Sequence, residues 1–196
     1  EKRAYNISKN LAKKHNVYVF TSLQPQTKKY EKFDNLKVYR FPPVFPYSTT
    51  SNLIKRIIFG LHIILKLPGF IKKHNIEIVD AQSFFTYPSA LFTKLFLKKP
   101  SFLTYHETWL NSWIKNTGSW LGILGEFFER IIVFLSKLLC MNFISVSGFT
   151  KNKLTKHGIN PQNIKVIHNG IELSKYKEVK IKKSSDKICY VGRLID

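Results

Sequence analysis

Near the carboxyl end of the sequence, an arginine directly follows a glycine in the run KICYVGRL, residues 187–194. A planar guanidinium presents a fork of donors that matches phosphate oxygens, and a glycine lets the backbone approach a ligand closely. Gly192 and Arg193 are therefore candidates for binding a phosphate group. On its own, Gly-Arg after a strand is more often a turn glycine beside a surface arginine, so this interpretation depends on the surrounding elements.

Strands and helices alternate along the sequence. Short β-branched and aromatic runs predict the strands, and apolar residues at helical spacing predict the helices between them. The predicted strands are residues 16–22, 36–41, 76–82, 101–108, 141–147, 164–169 and 187–194, with a polar connection over 25–35. The predicted helices are residues 1–15, 53–73, 88–97, 121–139 and 148–158. This order indicates an α/β fold with a doubly wound parallel sheet.

Polar residues follow several of these strands. Ligands bind such sheets at the carboxyl ends of the strands. The candidates at these ends are Ser22, Asp80–Ser83, His106, Glu107, Ser147 and His168–Gly170. The charged, turn-rich segment 171–186 then predicts a linker between a first domain, residues 1–170, and the start of a second domain, residues 187–196.

The composition is strongly basic, with 32 Lys and Arg against 12 Asp and Glu and a net charge of +20. Such a surplus favours anionic partners, which include nucleic acid, anionic lipid and phosphorylated ligands. A nucleic-acid-binding module has no support beyond this charge, because the lysines are scattered and no recognition motif is present.

Cys140 and Cys189 lie in apolar runs without metal-ligand spacing, which predicts buried free thiols in a reducing compartment.

Four segments in sequence order resemble the family 4 glycosyltransferases, which have the two-domain GT-B fold. They are LTYHE, FISVSGFTKNKL, GINPQNIKVIHNGIEL and KICYVGRL. The first residues, EKRAYNISKNLAKKHNVYVFTS, also resemble the first helix and second strand of that family. The resemblance implies a Rossmann-like amino-terminal acceptor domain over residues 1–170 that lacks its first strand. Residues 187–196 are then the first strand of a second Rossmann-like domain, which binds the nucleotide sugar.

The family resemblance assigns roles to individual residues. Gly192 and Arg193 match the site that binds the donor diphosphate, and His106 matches the active-site histidine. Glu107 and Ser147 are candidates for the cleft or acceptor site, although Ser147 is equally suited to capping a helix. Asn169 and Gly170 match the turn that leads to the hinge. No metal and no other cofactor is implied.

The implied reaction is transfer of a sugar from a nucleotide-diphosphate sugar to a lipid-linked or cell-envelope glycan, with retention. A nucleotide-sugar epimerase of the same fold is the alternative. Segments that the family uses for the donor are missing from the sequence, which predicts that this chain alone is inactive.

Two helices also indicate contact with an anionic membrane, because each combines cations with an aromatic ring on one face. These sets are Lys55, Phe59, His62 and Lys66 on the helix 53–73, and Arg130, Phe134 and Lys137 on the helix 121–139. We therefore expect a cytoplasmic protein that associates peripherally with the inner face of the membrane.

Overall fold

The structure, a computed structural model, describes residues 2–44 and 53–171. The helices are α1 (Lys2–Leu11), α2 (Leu53–His74), α3 (Tyr87–Phe96), α4 (Trp113–Thr117), α5 (Ser119–Leu138) and α6 (Gly148–Lys156). The strands are β1 (Val17–Ser22), β2 (Tyr30–Phe33), β3 (Leu36–Phe41), β4 (Val79–Ala81), β5 (Ser101–Tyr105), β6 (Asn142–Ser145) and β7 (Ile164–Val166). The predicted linker, the strand 187–194, Cys189, Gly192 and Arg193 all lie outside the described residues.

The described strands form two sheets. Sheet A has the order β1-β3-β2, in which β1 pairs in parallel with β3 and β2 pairs antiparallel to β3. Sheet B has the order β4-β5-β6-β7, and its neighbours all pair in parallel. The α/β fold with parallel strands and intervening helices is thus confirmed, but the described strands are not joined into a single sheet.

Strand β2 lies where the sequence predicts a polar connection. Its residues read YEKF, and three of its four side chains are exposed, so it has no apolar face from which to recognise a strand. Two side-chain contacts join it to β3: Arg40 pairs with Glu31, and the tilted rings of Tyr30 and Tyr39 lie 4.9 Å apart. Cross-strand pairs of this kind stabilise antiparallel ladders.

The hydrophobic core is divided between two clusters. The larger one lies on sheet B, where Leu103, Tyr105 and Phe143 pack with residues of α3, α5 and α6. The smaller one is centred on Ile63, Leu67 and Ile71 of α2, which contact Phe20 and Phe41 of sheet A as well as Val79 of β4. Helix α2 therefore connects the two sheets.

Helix α2 forms where it is predicted, and it carries large apolar side chains on its outward side as well as in the core. Apolar residues at helical spacing predicted this helix, and five of them are exposed: Ile54, Ile57, Ile58, Leu61 and Leu65. Phe59, predicted on the outer face, is partly buried and packs against the smaller cluster. The set predicted to face the membrane on this helix therefore does not form one outward face, and that prediction is wrong.

Helix α5 also exposes large apolar side chains, and part of its buried side is polar. Its buried side carries Gly122, Glu129 and Ser136 together with Ile132 and Val133. Its outward side is apolar, and the predicted grouping of Arg130, Phe134 and Lys137 lies on exposed positions at one edge of that side. No helix among the described residues is long and apolar enough to cross a membrane.

Cys140 is exposed, so the prediction of a buried thiol is wrong at this position. The residue lies in the turn after α5 and has a positive φ of 45°. This turn directs Met141, the next residue, into the core, where it is fully buried. The apolar run thus identified a buried segment correctly but not which of its side chains points inward.

Candidate functional site

The carboxyl ends of the four parallel strands of sheet B define one edge of the sheet. Backbone bonds hold this edge in register, because Val146 N donates to Tyr105 O at 3.2 Å and Ile167 N donates to Ser145 O at 2.9 Å. His106 follows β5 directly, and Ser147 and the segment 168–170 begin two residues after β6 and β7 end. The structure therefore brings the predicted strand-end residues of sheet B to a common edge, which we call the sheet B edge.

Helix α1 approaches the same edge from the other end of the chain. The Arg3 guanidinium donates from Nη1 to Asn169 Oδ1 at 3.4 Å, across 166 residues of sequence. The Nε atom of Arg3 is buried and has no hydrogen-bond partner among the described residues. Arg3 is thus a cation with an unused donor near the site, and the sequence analysis did not identify it.

His106 is held at the sheet B edge by its backbone, because Thr150 Oγ1 donates to His106 O at 3.3 Å. The residue is exposed. Partial desolvation, followed by the positive charge of Arg3, lowers the pKa of His106, although Asp80 and Glu107 act in the opposite direction. The imidazole is therefore neutral near pH 7 and can both accept and donate a hydrogen bond.

Asp80 is the second strand-end residue with a defined environment. Thr104 Oγ1 donates to Asp80 Oδ1 at 2.7 Å, and Gln82 Nε2 donates to Asp80 Oδ2 at 2.8 Å. These two bonds fix the carboxylate beside the end of β4. Its charge is among those that favour the protonated form of His106.

Ser147 has a structural role in the geometry observed. Its Oγ accepts from Thr150 N at 3.1 Å, which makes it the N-cap of α6. The amino terminus of α6, with its positive dipole end, consequently lies at the sheet B edge.

Glu107 is exposed beside His106. At Gly170 an added Cβ would meet no described atom within 4 Å, so close packing does not explain this glycine.

The loop that follows His106 is clamped from the inner side of α5. Glu129 is buried and accepts from Thr108 Oγ1 at 2.8 Å and from Trp113 Nε1 at 2.6 Å. Burial raises the pKa of Glu129, and the bonds from Trp113 and Thr108 counteract that rise. The Trp113 ring lies directly on Gly125, where a side chain would clash. The loop 106–113 is therefore fixed by α5.

Glu129 lies in the middle of a helix predicted from apolar residues, and this position was a sign that it forms hydrogen bonds. A carboxylate in the middle of such a pattern requires a partner when it is buried. The partners themselves could not be read from the sequence, because Thr108 lies 21 residues and Trp113 lies 16 residues away.

Within residues 2–44 and 53–171, no group of three or more His, Cys, Asp or Glu could hold a metal ion.

Comparison with known proteins is consistent with this geometry. The sequence model described as Glycosyltransferase Family 4 matches residues 1–175. An uncharacterized glycosyltransferase of Methanocaldococcus jannaschii is 26% identical over 197 residues, which cover 92% of this chain and 47% of that protein. The chain thus spans about half the length of this curated relative.

A solved structure shows the same fold. Sucrose-phosphate synthase from Thermosynechococcus elongatus superposes with a TM-score of 0.60 at 13% sequence identity. The match covers 87% of this chain and 42% of that protein. At this level of identity the likeness concerns the fold, and it supports the GT-B architecture implied by the sequence.

Proposed function

Because the chain belongs to glycosyltransferase family 4, we propose that the protein transfers a sugar from a nucleotide-diphosphate sugar to a lipid-linked or cell-envelope glycan. The anomeric configuration is retained in this proposal. It concerns the full-length protein, since the chain spans about half of the relative described above. The observation that supports it most is the meeting of His106, Arg3 and Asn169 at the sheet B edge.

The donor half of the proposal rests on charge. As the bond between sugar and phosphate breaks, negative charge grows on the leaving diphosphate, and fixed cations and helix amino termini stabilise it. In the proposal Arg193 donates to the diphosphate and Gly192 gives the backbone room to approach. Protein cations take the place of a metal ion in this reaction.

The acceptor half rests on the sheet B edge. A neutral His106 forms one hydrogen bond with a hydroxyl of the sugar or of the acceptor. Glu107, exposed next to it, orients the acceptor, and the α6 amino terminus beside Ser147 adds a positive potential. The turn at Asn169 and Gly170 serves as the hinge to the donor domain.

A donor screen tests the proposal. The full-length protein is incubated with nucleotide-diphosphate sugars and with lipid-linked and soluble glycans, and the products are identified by mass spectrometry and NMR. We expect free nucleotide together with a glycoside of retained configuration, undiminished by a chelator. Arg193→Ala should abolish the reaction, whereas Arg40→Ala, which removes a cation of sheet A that pairs with Glu31, should not.

Other products would contradict the proposal. Interconversion of the donor sugar without any glycoside would make the protein an epimerase. Loss of activity in the chelator would show that a metal is needed.

We also propose that a lipid-linked acceptor would bring the protein to the inner face of the cytoplasmic membrane as a peripheral protein.

A further inference from the structure

The outward side of α5 is a continuous apolar surface. Nine large residues on it are exposed, and we call them the α5 outer face: Trp120, Ile123, Leu124, Phe127, Phe128, Ile131, Phe134, Leu135 and Leu138. At 100° per residue they occupy an arc of about 140°, and no polar residue falls within that arc. The helix is therefore more apolar on its exposed side than on its buried side.

An apolar surface as large as the α5 outer face is expected to be covered by another apolar surface. Soluble proteins rarely expose contiguous apolar patches larger than a few hundred Å². The α5 outer face contains four aromatic side chains and five aliphatic ones, and Phe134 is 63% exposed while Leu138 is 70% exposed. Contact with water alone is thus an unfavourable state for this face.

The charge of the helices α2 to α5 indicates what kind of surface can cover the α5 outer face. Helices α2 to α5 carry nine cations: Lys55, Arg56, Lys66, Lys72, Lys73, Lys94, Lys115, Arg130 and Lys137. They carry only two acids, Glu126 and Glu129, of which Glu129 is buried and Glu126 pairs with Arg130 at 2.7 Å. A second copy of the chain would bring like charges together, whereas an anionic surface would attract them.

The composition of the face favours lipid over a protein partner. Protein interfaces contain about one hydrogen bond for every 100–200 Å², and the α5 outer face offers no polar side chain except the indole N–H of Trp120. Aromatic and aliphatic residues flanked by cations are typical of helices that lie in the interface of an anionic bilayer. Arg130 and Lys137 stand at the edge of the arc, where headgroup phosphates would lie.

We propose that the α5 outer face seats the protein on an anionic lipid bilayer, with the helix lying parallel to the membrane surface. Glu126, Glu129, Arg130 and Lys137 are incompatible with a position across the hydrocarbon core. A helix of 20 residues is about 30 Å long, so the contact is extended.

Binding of the α5 outer face to the bilayer would also position the active site. The inner side of the same helix holds the loop after His106 through Glu129, so the sheet B edge and the lipid contact share one rigid element. This consequence rests on the proposed function, because it matters only if the acceptor is carried by a lipid. The proposed contact between α5 and lipid does not depend on the proposed function.

Binding to vesicles tests the proposal on the full-length protein without any sugar. Vesicles of equal parts phosphatidylglycerol and phosphatidylcholine are compared with vesicles of phosphatidylcholine alone. We expect sedimentation with the anionic vesicles that weakens as salt is raised. The double substitution Phe127→Ser and Phe134→Ser should weaken binding at least tenfold.

Phe33→Ser is the matched control, because Phe33 is 55% exposed on β2 while Phe127 is 57% exposed on α5. It should leave binding unchanged. Thermal unfolding followed by circular dichroism should show that both variants remain folded, since all three side chains are exposed. Trp120 provides a second readout, as brominated lipid should quench tryptophan fluorescence in the wild type and much less in Trp120→Phe.

Several results would overturn the proposal. They are no binding to anionic vesicles at low salt, equal loss in Phe33→Ser, or shielding of Trp120 from an aqueous quencher before lipid is added. The last would show that another part of the protein covers the face. A dimer that the double substitution dissociates would identify a second copy as the occupant. Transfer to a soluble acceptor, measured separately, tests the proposed function independently of the vesicles.

Discussion

His106 is the residue whose protonation state matters most for the proposed reaction. Its pKa lies below the ordinary value of about 6.5, chiefly because it is partly desolvated and secondly because Arg3 is near. The neutral form therefore persists to lower pH than in a free histidine. It is lost only as the pH falls through the lowered pKa.

We expect His106→Gln to lower kcat/KM by about tenfold to a hundredfold, because one hydrogen bond in a desolvated site is worth about 1–3 kcal/mol. The acidic limb that His106 produces in the pH profile should disappear in this variant. His157→Gln is the control, since the pKa of that histidine is also lowered by burial but it caps the far end of α6. An unchanged pH profile in His106→Gln would show that another group controls the limb.

Glu129 should act as a positioning residue. Glu129→Ala leaves the buried Thr108 and the partly buried Trp113 without an acceptor, so the free energy of unfolding should fall by at least about 2 kcal/mol. Glu129→Gln can accept from Trp113 and donate to Thr108, and it should restore most of that loss. Urea denaturation measures both, and equal losses in the two variants would contradict the role of the hydrogen bonds.

The pH dependence of stability supplies an independent readout for Glu129. Its folded pKa is raised, so the folded state binds more protons than the unfolded state between the ordinary Glu pKa of about 4.3 and the raised value. The stability contributed by this group is present below that range and is lost as the pH rises through it. Glu129→Gln should lack this decrease.

Some of these residues were accessible from the sequence and others were not. His106 and Asn169 could be named because each follows a strand within a recognisable local pattern. Arg3 could not, because only the folded chain brings it to Asn169. The role of Ser147 was left open between cap and cleft, and its bond to Thr150 N shows that it caps α6.

Among the helices, periodicity determined position but not orientation. A stripe at helical spacing shows that one side of a helix is apolar, and the core is only the commonest destination of that side. In α2 several residues of the apolar pattern are exposed while others are buried, and in α5 the side with Glu129 and two glycines is the buried one. The sequence could not show which side is buried, since that depends on what lies outside the helix.

The glycines of these helices allow a paired test of packing. Gly125→Ala would place a methyl group into the Trp113 ring, so it should lower the free energy of unfolding by about 1–3 kcal/mol. Gly69→Ala in α2 meets no described atom within 4 Å and should raise it by about 0.5–1 kcal/mol. Chemical denaturation of the two variants should therefore give shifts of opposite sign, and shifts of the same sign would contradict the packing described here.

The molecule as a whole has two centres of stability. Every residue of β1 is only partly buried, whereas β5 and β6 contain the fully buried Leu103, Tyr105 and Phe143. Local opening should therefore be easier in sheet A. The parallel α/β arrangement was predictable from the order of the elements, but the division into two clusters depends on contacts of α2 that no local pattern encodes.

Amide hydrogen exchange can detect this division. We expect peptides from β1 and β3 to exchange faster than peptides from β5 and β6 under native conditions. Addition of denaturant at low concentration should widen the difference, because partial unfolding would release sheet A first. Equal protection in both sheets would show that the molecule opens as one cooperative unit.

The exposed face of α5 also determines how the protein behaves in a test tube. In low-salt buffer, the net charge of +20 keeps molecules apart by mutual repulsion. Added salt screens that repulsion while leaving the apolar attraction intact. Concentrated stocks should therefore stay clear at low ionic strength and turn cloudy at high ionic strength, and a mild detergent should dissolve the precipitate without unfolding the protein.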